Sequence, residues 1–91
     1  MARKRVRPFH SILDGALMQI KVKLFATFRI GRFAVETRQY PSGTRIIEII
    51  RELQIPEAQI GMIMLNHRHA KPDQELNDGD NLSLFPLVGG G

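Results

Sequence analysis

Apolar and polar positions alternate from Gln19 to Phe28. Ile20, Val22, Leu24, Ala26 and Phe28 fall on one face and Lys21, Lys23, Phe25 and Thr27 on the other. Period-two alternation predicts a half-buried strand. Arg29-Ile30-Gly31-Arg32 predicts a hairpin turn, with Gly31 free to take positive φ. The alternation resumes from Phe33 to Gln39, where Phe33, Val35 and Thr37 stand opposite Ala34, Glu36 and Arg38. Tyr40-Pro41-Ser42-Gly43 breaks the pattern. The period then lengthens: Ile46, Ile47, Ile50 and Leu53 form one stripe of a helix, with Thr44 as its N-cap, Pro56 as its end, and Glu48 and Glu52 on or near its exposed side.

Ile60 to Asn66 is short, almost wholly apolar and bounded by turn residues, which predicts a strand in the sheet interior. Asn66-His67-Arg68-His69 reads as a second hairpin turn, followed by a short edge segment near Ala70 and Lys71. Asn77-Asp78-Gly79-Asp80 reads as a third turn. Asn81 to Pro86 is the last strand, with Leu82 and Leu84 facing opposite to Ser83 and Phe85. One amphipathic helix on one face of a four- or five-stranded sheet is an α+β arrangement, and 91 residues make one small domain.

Composition narrows the chemistry. The absence of cysteine excludes a disulfide framework, a thiolate zinc site and a thiol nucleophile, and suits a reducing, cytoplasmic setting. No apolar run approaches the ~20 residues that span a bilayer, so no membrane role is expected. The net charge of +4 is concentrated at the head of the chain. Residues 1–17 carry Arg3, Lys4, Arg5 and Arg7 against Asp14. This segment is read as a basic, disordered extension rather than a nucleic-acid-binding arm. His10 and Asp14 interrupt what would have to be the apolar stretch of a signal peptide. Met18, directly before the first strand, is an alternative start.

The chain closes on Gly89, Gly90 and Gly91 after Leu84-Phe85-Pro86-Leu87-Val88. Three residues without Cβ atoms make a thin, conformationally free tail ending in a carboxylate. From Leu87 to Gly91 it would reach roughly 15 Å when extended. No nucleophile with an adjacent base, no meaningfully spaced acid pair and no phosphate loop is evident, so no catalytic residue is expected. His67 and His69 are read as solvated hairpin histidines, since zinc takes three or four ligands. Asp78-Gly79-Asp80 lacks the ligand spacing of a calcium loop. Arg45, Arg51 and Arg68 are read as solvated charges.

Ile20-Lys21-Val22-Lys23-Leu24-Phe25-Ala26 with Arg29 following, the helix after Thr44, Leu76 followed by Asp78-Gly79-Asp80, and the closing Leu84 to Gly91 together resemble the ThiS/MoaD sulfur-carrier family. The resemblance covers Met18 to Gly91, and its tail is most similar to that of the molybdopterin synthase small subunit. Leu87 stands where that tail has a second proline and Gly89 where it has alanine. His67 stands where the hairpin usually has glycine. The resemblance implies a ubiquitin-like β-grasp fold over residues 18–88, a four- to five-stranded mixed sheet with one main helix, and a flexible tail over 89–91. It also implies that Gly91 is adenylated by a ubiquitin-activating-type enzyme that uses ATP. A sulfur donor then displaces AMP, and the resulting thiocarboxylate passes its sulfur to an acceptor such as a molybdopterin synthase large subunit or a thiazole synthase. The carrier itself would bind no cofactor.

In a β-grasp sheet the first and last strands are central neighbours, so Phe25 and Phe85 should lie side by side on the face away from the helix. Either Ile63 and Leu65 or Met62 and Met64 should join them. With Leu87 and Val88 these rings form the expected partner interface. A carrier for thiamine or amino-acid sulfur, a ubiquitin-like protein modifier, and a non-catalytic β-grasp interaction module are the alternative functions.

Overall fold

The computed structural model describes residues 17–88. Strands β1 (Leu17–Leu24) and β2 (Val35–Pro41), helix α1 (Ile46–Glu52), and strands β3 (Ile60–Leu65), β4 (Arg68–His69) and β5 (Asn81–Pro86) follow in chain order. Short 3-10 turns occupy Ala26–Arg29 and Glu57–Gln59. The strands form one five-stranded sheet ordered β2-β1-β5-β3-β4. β1 runs parallel to β5, while β1/β2, β3/β5 and β3/β4 are antiparallel. The first and last strands are thus adjacent at the centre of a mixed sheet. The expected glycine tail and basic extension lie outside the described residues, apart from Leu17, which opens β1 opposite Pro41.

Alternation along the central strands decides which side is dry. Ile20, Val22 and Leu24 of β1 and Leu82 and Leu84 of β5 meet Ile46, Ile49 and Ile50 of α1, all fully buried. Each such side chain contributes about 1.5–3 kcal/mol by leaving water. Ile63 and Leu65 of β3 turn inward with them, so Met62 and Met64 occupy the opposite face.

The elements depart from the sequence expectations at their ends. β1 stops at Leu24 rather than Phe28, because Ala26 takes φ 53° and the chain coils into the first 3-10 turn, which rolls Phe28 into the core. Gly31 has the expected positive φ of 73°. β2 continues through Tyr40 and Pro41, an edge position where proline need donate no ladder bond. Thr44 is not the helix cap. It is buried, its hydroxyl donating to Pro41 O, and α1 begins after Arg45, whose N–H donates to Glu48 Oε2. The helix ends at Glu52, ahead of Pro56, where Gln54 turns left-handed at φ 58°. Ile49 joins the core stripe, while Ile47 and Leu53 are only partly buried. The edge segment after the second hairpin is Arg68–His69 rather than Ala70 and Lys71. Ala70 follows it and donates its N–H to Ile63 O.

Two arginine clusters close the periphery. Arg32 donates to Leu53 O and Gln54 O, satisfying carbonyls left open at the end of α1, and to Phe28 O of the first 3-10 turn. On β2, Glu36, Arg38 and Tyr40 stand opposite the core residues Val22, Ile20 and Met18, so this edge strand presents its polar positions toward the helix side. Arg38 Nε donates to the Tyr40 hydroxyl at 2.8 Å, which donates to Glu52 Oε1 at 2.7 Å. Arg38 also pairs with Glu36 and Glu52. Burial, and then the hydrogen bond to the Glu52 carboxylate, push the Tyr40 phenol well above its ordinary range.

Candidate functional site

The two ends of the central strands build the site. Phe25 directly follows β1, and Phe85 is the penultimate residue of β5. Parallel pairing of Leu24 with Leu84 brings their rings together, stacked at 4.2 Å between centroids and 12° between planes. Such a pair contributes about 0.5–1.5 kcal/mol beyond its buried area. The Arg29 guanidinium covers Phe25 at 5.5 Å from the ring centroid, while its Nε donates to Leu24 O at 2.8 Å. The guanidinium therefore holds the ring from one side and the strand end from the other.

An open groove of about 560 Å³ lies beside the stack, lined by Phe25, Ala26 and Thr27 on one wall, Gly61 and Met62 on another, and Phe85 through Val88 along its length. Leu87 and Val88 are 65% and 87% exposed, an uncovered apolar pair leading to the glycines. The sequence-predicted residues Phe25, Phe85, Leu87 and Val88 therefore share one surface. Gly89, Gly90 and Gly91 lie outside the described residues.

Sequence reasoning missed Gly61. β3 carries an irregularity between Ile60 and Met62, where its register against β5 shifts. There the exiting chain crosses so closely that a Cβ on Gly61 would lie 2.7 Å from Pro86 O and 2.9 Å from Leu87 Cα. The Leu87 N–H donates to Gln59 O at 2.9 Å. These contacts fix the direction in which the chain leaves the sheet. The available signal was a lone glycine inside an apolar strand pattern, which marks a bulge or a close backbone approach.

The other candidate residues serve the scaffold. Asn66 and His67 both take positive φ, 52° and 69°, the backbone of a type I′ hairpin turn, so His67 adopts the conformation glycine would favour. Asp80 is buried and accepts hydrogen bonds from Asn66 Nδ2 and Asn77 N, while Asp78 Oδ1 accepts from Gln19 N. The Asp-Gly-Asp carboxylates thus tie a turn to the sheet. No group of three or more metal-ligating side chains occurs among the described residues. Arg45 and Arg51, read as solvated, pair at the surface with Glu75 at 3.2 Å and Glu57 at 3.5 Å. No described helix is long and apolar enough to cross a membrane.

A family model, that of the ThiS family, matches residues 22–91. No curated protein matches the chain. Among solved structures, the putative molybdopterin converting factor subunit 1 from Pyrococcus furiosus is 31% identical, covering 78% of this chain and 99% of that one with a TM-score of 0.63. A chain in the complex of subunits 1 and 2 of the molybdopterin-converting factor from Helicobacter pylori is 25% identical, covering 81% of this chain and all (100%) of that one, with a TM-score of 0.57. A ubiquitin from Caldiarchaeum subterraneum is 15% identical, covers 84% of this chain and 100% of its own, and has a TM-score of 0.56. This last likeness is one of fold alone, the ubiquitin-like β-grasp.

Proposed function

This chain belongs to the ThiS family of sulfur carriers, and we propose that it carries sulfur as a thiocarboxylate on Gly91 for the biosynthesis of a molybdopterin-like cofactor. The observation that carries this reading is the built exit of the chain. β5 ends in an apolar groove beside Phe25 and Phe85, and Leu87 is anchored at Gln59 with Val88 exposed beyond it. A tail presented this way reaches into a partner's active site while the groove docks the body.

The chemistry belongs to the partners. A carboxylate is a poor electrophile. An adenylating enzyme of the ubiquitin-activating type joins a Gly91 oxygen to the α-phosphorus of ATP and releases pyrophosphate. A sulfide-equivalent nucleophile then attacks the acyl carbon, and AMP leaves with the carboxyl oxygen and the bonding pair. The thiocarboxylate that remains gives up its sulfur in a second enzyme. The P. furiosus relative is described as a putative molybdopterin converting factor subunit 1, and the H. pylori relative is seen with the second subunit of such a factor. By analogy the acceptor here is a larger synthase subunit that receives the tail, with Phe25, Phe85, Leu87 and Val88 at the contact.

Intact mass spectrometry after incubation with the host's adenylating enzyme, ATP and a sulfur donor tests the proposal. An oxygen-to-sulfur exchange at Gly91, lost on deletion of Gly90 and Gly91, is expected. No exchange with an enzyme competent on another carrier overturns it, and higher-mass isopeptide conjugates would assign a protein modifier instead.

A further inference from the structure

The charges of the described domain are sorted by face. Its ion pairs, Arg38 with Glu36 and Glu52, Arg45 with Glu75 and Arg51 with Glu57, lie on α1, the helix-side positions of β2 and the adjoining loops. The opposite sheet face is different. Lys21 has Thr37 and Asn81 as its cross-strand neighbours, and Lys23 has Val35 and Ser83. The row through Lys23 continues across Ser83 and Met64 to His69. No carboxylate stands in these rows. At ~3.3 Å per residue, Lys23 lies about 7 Å and Lys21 about 13 Å from Phe25 along β1, so they stand one and two cross-strand rows from the stack, on the sheet face that leads to the groove. Arg29 adds a third cation at the stack itself.

From this sorting we infer that Lys21 and Lys23 select the docking partner, and that the enzyme which adenylates the tail meets this face with an acidic rim around an apolar contact. The inference rests on the sulfur-carrier reading. Unneutralised lysines on the face leading to an apolar groove steer an oppositely charged surface toward it and repel basic ones. Arg3, Lys4, Arg5 and Arg7 of the chain's first residues carry the same sign as Lys21 and Lys23, so charge complementarity favours a separate, acidic partner. A nucleic acid fits less well than a protein. Single strands bind by stacking bases on open aromatic faces, whereas Phe25 has Phe85 against one face and the Arg29 guanidinium over the ring.

The test measures association of the full chain with the adenylating enzyme of the same genome, at about 0.05 M and about 0.5 M salt, where screening lengths differ severalfold. Adenylation is followed by pyrophosphate release. Lys21→Glu/Lys23→Glu should slow association about tenfold or more at low salt, and the gap should close at high salt. Lys21→Gln/Lys23→Gln should fall between. Should the reversed variant fail to fold, the neutral variant and the salt dependence of the unaltered chain carry the same comparison. Unaltered adenylation and association in these variants, or tighter binding on charge reversal, overturns the inference and leaves the carrier reading intact. Absence of adenylation in the unaltered chain removes both. Binding of a labelled single-stranded RNA that the lysine variants abolish, with enzyme association unchanged, reassigns the face to nucleic acid.

Discussion

Gly61 and Leu87 stand so close that a methyl group on the first would approach the Cα of the second to 2.9 Å. The atoms that this methyl group would meet, Pro86 O, Pro86 C and Leu87 Cα, are all backbone, so the strain cannot be relieved by rotating a side chain. Gly61→Ala should therefore push the exiting chain off β3 and break the Leu87 N–H bond to Gln59 O. The expected cost is about 1–3 kcal/mol in stability, typical of overpacking. The expected loss of tail activation is larger than melting alone predicts. Comparing a thermal melt with the adenylation rate at a temperature where the variant is folded separates the two. A variant that stays fully active would show that the exit direction is immaterial.

The stacked pair separates scaffold from interface. Phe25 and Phe85 are half-buried, and their mutual contact contributes about 0.5–1.5 kcal/mol beyond area. Phe85→Ala should cost modest stability yet weaken association with the acceptor subunit tenfold or more, since aromatic anchors dominate interface energies. Isothermal titration against the cognate large subunit, beside a denaturant melt, checks the split.

Two left-handed residues invite stabilising substitutions. Gln54 ends α1 at φ 58° and His67 occupies the second hairpin at φ 69°, positions where an L side chain costs about 1–2 kcal/mol. Glycine removes that cost but adds unfolded-state entropy, so Gln54→Gly and His67→Gly should each raise stability by up to about 1 kcal/mol. Urea denaturation midpoints with an unchanged slope would bear this out. His67→Gly is expected to leave carrier activity unaltered.

Tyr40 is the one tyrosine in the chain, which makes its titration readable. Its phenol is raised above the ordinary value of 10.0 by burial and by the Glu52 carboxylate. Above that ordinary value the unfolded chain loses a proton the folded chain keeps. The folded state therefore loses stability as pH climbs past the unfolded value, while below it the contribution is fully present. Phenolate absorbance should rise only well beyond the free-tyrosine range, or together with unfolding. Tyr40→Phe should flatten the alkaline loss of stability while leaving Arg38 and Glu52 with a poorer network at neutral pH.

Strand positions were legible because the alternation of Ile20, Val22 and Leu24, and of Leu82 and Leu84, tracks burial directly, whereas the central pairing of the first and last strands came from the family resemblance and not from periodicity. The juxtaposition of Phe25 and Phe85 followed from those two patterns once the strands were set side by side. Where local signals lost, tertiary contacts had overridden them. Thr44 looked like a cap, but its hydroxyl is claimed by Pro41 O. Phe28 kept the strand period in sequence, yet the left-handed turn at Ala26 delivers it to the core by another route. Gly61 carried no chemistry of its own. Its role depends on a chain segment some 26 positions later passing overhead, a separation that periodicity does not encode.

The parallel seam between β1 and β5 also governs how the protein is made. A nascent chain that has emerged only as far as β4 holds two separate pieces of sheet with no strand to join them, so the body cannot close during early synthesis. Assembly waits for the last strand to leave the ribosome. Prematurely terminated products lacking β5 would expose open edges and half a core to proteolysis, so the cell should not accumulate folded bodies that have lost the strand bearing the exit segment.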